Sequence, residues 1–412
     1  MCFNFTDVQK FAQVEAGIYP LLVRSFGAVP QILYFLQLAA AGAADYLLIR
    51  RICPVGRFWN VWYVLALLTL PMAMQCHLAL LPYSFVSSLF LLELCFCGEA
   101  MVEVKGLRVV ELTKAGVCFL ALAMLLPEYR WLGIIPLLLT VLVRLLSFRK
   151  NVRQLAYCVV IVVAFAGMIA GLGSLTESGE KTTTSFWFSM AGRMAWPTLW
   201  DDADKWSDDL RSITKEVLWD AIDSPGNMER MLQPAVESAV GTGQAQGYYR
   251  EMTVLAWRLH RPQIAKQLVW DVLTYAVPQA VLQAQLTGRG YDSYSGRNYE
   301  IMFMRHPLLT KYYVGYSCWW FGVSLAVTVF LAGARLTLEK DFFRKGISAF
   351  LAVMLFSMGS VVFFYTMRGA GIADYKCTVA VAVFWMILSF YCMAGKPVFR
   401  KDKGNAAERL ED

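Results

Sequence analysis

Residues 114–146, KAGVCFLALAMLLPEYRWLGIIPLLLTVLVRLL, set two apolar runs on either side of one polar turn, Pro127-Glu128-Tyr129-Arg130. A helix needs roughly 20 apolar residues to cross the hydrocarbon layer of a bilayer. The stretch reads as a tightly coupled helical hairpin in a membrane, with spans near 115–127 and 131–147 and with Glu128 and Arg130 at one of its faces. The whole chain agrees with that reading. It is 58% hydrophobic and 17% charged, whereas a soluble globular domain is roughly 45–50% apolar and about 25% charged.

Outward from the hairpin, further runs fall near 28–49, 58–76, 80–97, 155–173, 313–334, 346–366 and 376–395, which makes about nine spans. Basic residues orient them. Arg50, Arg51 and Arg57, then Lys105, Arg108 and Lys114, then Arg144, Arg149, Lys150 and Arg153, then Arg335, Lys340, Arg344 and Lys345, and finally the tail from Lys396 to Arg409, occupy alternate loops. The short loops between them carry only Arg130, Arg368 and Lys376. Lys and Arg accumulate on the cytoplasmic side of membrane proteins, so the first set is cytoplasmic and the turn with Glu128 and Arg130 is external.

The resulting organisation is all-α: a polytopic membrane helical bundle with an extracytoplasmic helical domain. Residues 1–27 form an external amphipathic segment, 28–173 a six-span region, 174–312 the extracytoplasmic domain, 313–395 a three-span region and 396–412 a basic cytoplasmic tail. The long insert shows apolar residues at three- and four-residue spacing, typical of amphipathic helices. A protein so built belongs in the plasma membrane and contacts its lipids. Its first span runs inward with residues 1–27 outside, so one more helix is expected upstream.

The net charge of +7 does not point to nucleic acid, because the basic residues sit in the loops where a membrane protein keeps them. No glycine-rich phosphate loop lies between a strand and a helix. The insert holds none of the ten cysteines, so it has no disulfide framework. Cys95 and Cys97 are spaced poorly for zinc and read as buried thiols. His77, His260 and His306 are too far apart to argue for a metal triad.

Polar stretches near the external face carry the candidate chemistry. Arg130 can clamp a phosphate through its guanidinium fork, or anchor the helix end beside Tyr129 and Trp131 as part of an aromatic belt. Glu128 is its natural partner and a candidate base. TGRGYDSYSGRNYE, 287–300, gathers Arg289, Asp292 and Arg297 among glycines and tyrosines, suited to sugar stacking and phosphate pairing or to a loop tied by an Arg–Asp pair. Arg368 offers a second phosphate contact, or snorkels to an interface. Asp201, Asp202 and Asp204 beside Trp196, Trp200 and Trp206 suit a divalent cation or a solvated face of an interfacial helix. Inside the spans, Asp45 is expected to pair with Arg50 or Arg51, while Glu93 has no partner legible in the sequence.

The order of parts resembles the GT-C membrane glycosyltransferases. The resemblance lies in AGIYPLLVRSFGAVPQILYFLQLAAAGAADYLLIRR, a proline-containing amphipathic segment ahead of an apolar span and a basic doublet. It continues through LALLTLPMAMQCHLALLPYSFVSSLFLLELCFCGEAMVEVKG and the hairpin quoted first. It implies transfer of a sugar from a polyprenyl-phosphate carrier, a lipid-linked donor, to an acceptor on the external face. It also implies basic residues on the carrier phosphate, with Arg130, Arg289, Arg297 and Arg368 as candidates and Asp292 beside them, and an acid of the first external loop as base or partner of a divalent cation. Asp7 and Glu15 are the acids there, Asp7 and Glu128 the candidate bases, and the family's Asp-Glu pair at the start of that loop is missing. The competing reading is a non-enzymatic transporter or cell-envelope assembly protein whose cap binds a partner.

The sidedness scheme is tested with a membrane-impermeant thiol reagent: single cysteines at position 128 and within 174–312 label from the same side of intact cells. Labelling from opposite sides would end the scheme.

Overall fold

The computed structural model describes residues 18–26, 29–52, 56–77, 82–102, 109–126, 129–147, 152–176, 240–276 and 347–368. It also describes isolated positions at 187, 190–191, 236–238, 323, 326–327, 330, 380–381, 383 and 387. Among these the regular elements are all helices. The chain divides into two compact units: residues 1–179 with 316–358 and 379–412, and residues 180–315 with 359–378.

The first unit begins with a short helix, α1 (Tyr19–Ser25), followed by α2 (Pro30–Ile52), α3 (Arg57–Leu68), α4 (Pro71–His77), α5 (Tyr83–Val102), α6 (Val109–Leu125), α7 (Tyr129–Ser147) and α8 (Val152–Thr176). Helix α5 is central, packing against α2, α4, α6 and α7, while α8 lies against α6 and α7. Its 83–101 window is 78% buried, against 39% for the 31–50 window of α2. Those two helices are long and apolar enough to cross a membrane. The other apolar helical segments, 58–68, 129–143, 159–168 and 353–367, are shorter. Two such helices fit membrane association by length and composition.

Six of the sequence-derived spans coincide with helices, the one expected over 58–76 is broken, and those over 313–334 and 376–395 lie almost wholly outside the described residues. Pro71 has no amide hydrogen, and its ring clashes with the carbonyl four residues back in a continuing helix. Helix α3 accordingly stops at Leu68, the Leu70 amide bonds to the Leu67 carbonyl at 3.2 Å, and Pro71 opens α4 where a proline is tolerated. Gly56, at the start of α3, has φ 122°, a backbone region that side chains other than glycine rarely enter.

Lipid tails are as apolar as leucine, so helices in a bilayer associate through close packing, which small residues permit. The interior of this unit follows that logic. Cys97 and Ala100 of α5, Ala115 and Ala123 of α6, Leu137 and Val141 of α7, and Val162 and Phe165 of α8 form one buried cluster around Phe119. Gly116 lets the Phe165 ring lie directly on the α6 backbone, for a Cβ there would fall 2.2 Å from the ring.

One end of the bundle is closed by α1. The Ile18 amide donates to the Met124 carbonyl at 2.9 Å, and Tyr19 and Val23 pack with Leu33, Phe85 and Leu125. Gln37 donates from Nε2 to the Tyr19 hydroxyl at 3.3 Å. Across the same end, His77 Nδ1 and Ser84 Oγ are hydrogen-bonded at 2.8 Å.

In the second unit, α9 (Thr242–Leu259) and α10 (Arg261–Ala276) follow one another with only His260 between them, whose amide bonds the Ala256 carbonyl and whose carbonyl accepts from Ile264. Ala245, Tyr248, Tyr249, Met252, Thr253 and Ala256 make one buried stripe along α9, the amphipathic pattern expected of the insert. Burial, Glu237 and Tyr248 hold the Tyr249 hydroxyl above the usual phenol range. A final helix, α11 (Ile347–Arg368), contributes its first half to the first unit and its second half to the second, where Tyr365 meets Tyr275 with ring centroids 6.2 Å apart.

Gly116→Ala is expected to destabilise the bundle by about 1–3 kcal/mol through overpacking. In a Phe165→Leu background the same change costs less, and a double-mutant cycle by thermal unfolding reads the coupling. Equal costs in both backgrounds would remove the contact from the account.

Candidate functional site

The site grows from an acid in an apolar helix. Glu93 lies ten residues into α5, about 15 Å along its axis, and its side chain is fully buried, with both carboxylate oxygens lacking a hydrogen-bond partner among the described residues. An ionised carboxylate taken out of water without a partner costs several kcal/mol or more, so such groups inside membrane helices mark function by default.

Each neighbouring helix supplies part of the wall. On α7, Gly133 brings bare backbone against the acid: a Cβ there would stand 3.6 Å from Glu93 Oε2 and 2.7 Å from Cδ2 of Phe119, the α6 residue behind it. One turn along α5, Cys97 hydrogen-bonds the Thr140 side chain of α7, and the Thr140 hydroxyl donates to the Pro136 carbonyl at 2.7 Å. Cys118 of α6 is close enough, like Cys97, to feel a charge on Glu93. One turn back along α5, Phe90 meets Tyr129 edge to face, with centroids 6.0 Å apart and planes at 74°.

The first turn of α7 therefore stands beside the α5 residue one turn before the acid. Tyr129, expected in an interfacial belt, is instead 1% exposed, while Trp131 is 74% exposed. Arg130, partly buried in the first turn of α7, stands one helical turn from Gly133. On the outer side of α5 and α6 a shallow groove of about 430 Å³ is lined by Phe96, Val110, Thr113, Lys114, Val117 and Cys118. Lys114 pairs there with Glu111 at 3.0 Å and lies 5.5 Å from the Phe96 ring centroid.

The sequence candidates fare unevenly. Arg130 is placed as described and Arg368 ends α11, the two belonging to different units. Asp7, Glu128, Arg289, Asp292 and Arg297 lie outside the described residues, as do Asp201, Asp202 and Asp204. Asp45 is 3% exposed whereas Arg50 is exposed, so the expected pairing with Arg50 is not made. Five residues along a helix turn a side chain to a different face, and Arg50 follows its own face outward. Among the described residues, no three His, Cys, Asp or Glu side chains are grouped to hold a metal ion. The walls of the Glu93 site were missed in the sequence, although a Gly and a Pro three residues apart in a Leu-rich span, Gly133 and Pro136, were the signal available.

No family model, curated protein or solved structure matches the chain.

Replacing the buried acid with an apolar side chain removes a desolvation cost, so Glu93→Leu is expected to leave the melting temperature of purified protein unchanged or raised, with a gain of up to about 2 kcal/mol. A strong loss of stability would mean that the carboxyl has a structural partner.

Proposed function

We propose that the chain is a multi-pass membrane glycosyltransferase of the GT-C kind, moving a sugar from a polyprenyl-phosphate carrier to an acceptor at the external face. In this reading the chain crosses the membrane about nine times, with 174–312 outside. The observation that carries it is the tether from Ile18 to Met124. It seats α1 against the last turn of α6, so the segment that the resemblance places after the first external loop lies at the bundle end where α7 begins with Tyr129 and Arg130. A transferase acting on a lipid-linked donor needs that convergence at a membrane face. Its phosphate would bind Arg130 through charge-assisted hydrogen bonds, with Arg289, Asp292, Arg297 and Arg368 as further candidates and Asp7 or Glu128 as base.

A second reading, a transporter or envelope assembly component, is favoured by Glu93, because transporters place their polar sites within the membrane among interrupted helices. Helix α7 is continuous but carries Pro136 inside it, three residues after Gly133.

The two readings separate on purified full-length protein given radiolabelled polyprenyl-phosphate sugars. Transfer that falls at least about tenfold in Arg130→Ala, the scale of one lost charge-assisted contact, supports the transferase. Absence of transfer from every donor, with solute uptake into proteoliposomes that requires Glu93, supports the transporter.

A further inference from the structure

Glu93 is an acid enclosed on all sides. Its own helix presents Cys97, α6 presents Cys118, and α7 presents Gly133. Of the other helices packed on α5, α2 carries the buried Asp45, and α4 carries His77, engaged with Ser84. The charge nearest in the sequence of α7 is Arg130, one turn toward the bundle end. Among the described residues the groups nearest the carboxyl are thus thiols and backbone, which do not add up to a metal-ligand set. The approach of Gly133 and Phe119 also leaves little room at the oxygens. A proton is the cation that needs neither ligands nor a cavity.

The wall that covers the acid is also the weakest stretch of its helix. Pro136 has no amide to offer the Leu132 carbonyl, so the α7 ladder lacks a bond beside the acid, and Gly133 adds backbone freedom one residue further on. Sharp helix bends occur at such points. The turn before the break, Tyr129 to Gly133, carries the ring that closes on Phe90, while below it Thr140 holds Pro136 and Cys97 together.

We propose that Glu93 is a proton-binding site inside the bundle, reached from the PEYR end past Phe90 and Tyr129, with the first turn of α7 as the part that moves. In the closed arrangement the carboxyl keeps its hydrogen. When the turn swings about Gly133 and Pro136, Tyr129 leaves Phe90, water reaches the acid, and the O–H bond breaks. The electron pair stays on the carboxylate oxygen and a water molecule takes the proton toward the end where Arg130 lies. The site is independent of which function holds, serving either as a base for transfer or as a coupling group for transport.

The experiment uses full-length protein in lipid nanodiscs and two carbodiimides, one lipid-soluble and one water-soluble. A protonated carboxyl adds across the C=N bond, and the resulting N-acylurea is located by mass spectrometry. The lipid-soluble reagent is expected to modify Glu93 and nothing at that position in Glu93→Gln. Its rate falls about tenfold per pH unit once the medium is more alkaline than the site's titration point. The water-soluble reagent is expected to spare Glu93 in the unaltered chain and to modify it at least about tenfold faster in Phe90→Ala, equivalent to at least about 1.4 kcal/mol. Tyr129→Leu serves in its place if Phe90→Ala does not fold. No modification at any pH, or a rate indifferent to pH, overturns the proton site. Equal water-soluble rates with and without the aromatic pair overturn the route. Neither result bears on whether sugar transfer occurs, so the transferase reading stands or falls on its own assay.

Discussion

The arrangement of the first unit depends on one constraint: helix α5 carries an acid in its middle and is packed on several sides at once. A carboxyl with no hydrogen-bond partner among the described residues tolerates only neighbours that come close without offering a second unmet polar group. Glycine at 133 and the Phe119 ring satisfy that condition. They also set how near α7 and α6 approach, and Phe90 against Tyr129 then decides where α7 begins. The small residues of the surrounding cluster allow the spacing that this geometry requires.

Local features of the chain were legible in the sequence. The runs at 28–49, 80–97, 131–147, 155–173 and 346–366 correspond to α2, α5, α7, α8 and α11, because apolar length and flanking charge are properties of neighbouring residues. The reversal at PEYR and the amphipathic pair in the insert belong to the same class. What stayed hidden is non-local. Glu93 and Gly133 are forty positions apart, and nothing in either segment names the other. Gly116 and Phe165 are likewise joined only by packing. The break at Pro71 was local and was passed over because hydropathy averages across a proline. Tyr129 was assigned to the interface by residue type, whereas its partner Phe90 draws it inward.

The candidate site changes character as a result. In the sequence, the candidate acids of the external loops are Asp7 and Glu128. The structure adds an acid one turn beneath Arg130, shielded by the tyrosine that separates Arg130 from Glu128 in the chain. Arg130 begins α7 and Gly133, one turn further on, meets the carboxyl of α5, so the two charged groups belong to neighbouring helices at successive turns.

The division of α3 from α4 reaches beyond the polypeptide. Twelve residues, Arg57–Leu68, span about 18 Å, well short of a hydrocarbon layer about 30 Å thick. The exposed Phe58, Trp59 and Trp62 crowd toward its first turns. If the chain crosses the membrane as proposed, backbone at the Thr69–Leu70 joint needs protein to shield it from lipid, a shelter that α2 and α5 give through their packing on α4. Leaflets bordering α3 would then be pinched, and phospholipids with short or kinked tails would be the natural annulus on that flank.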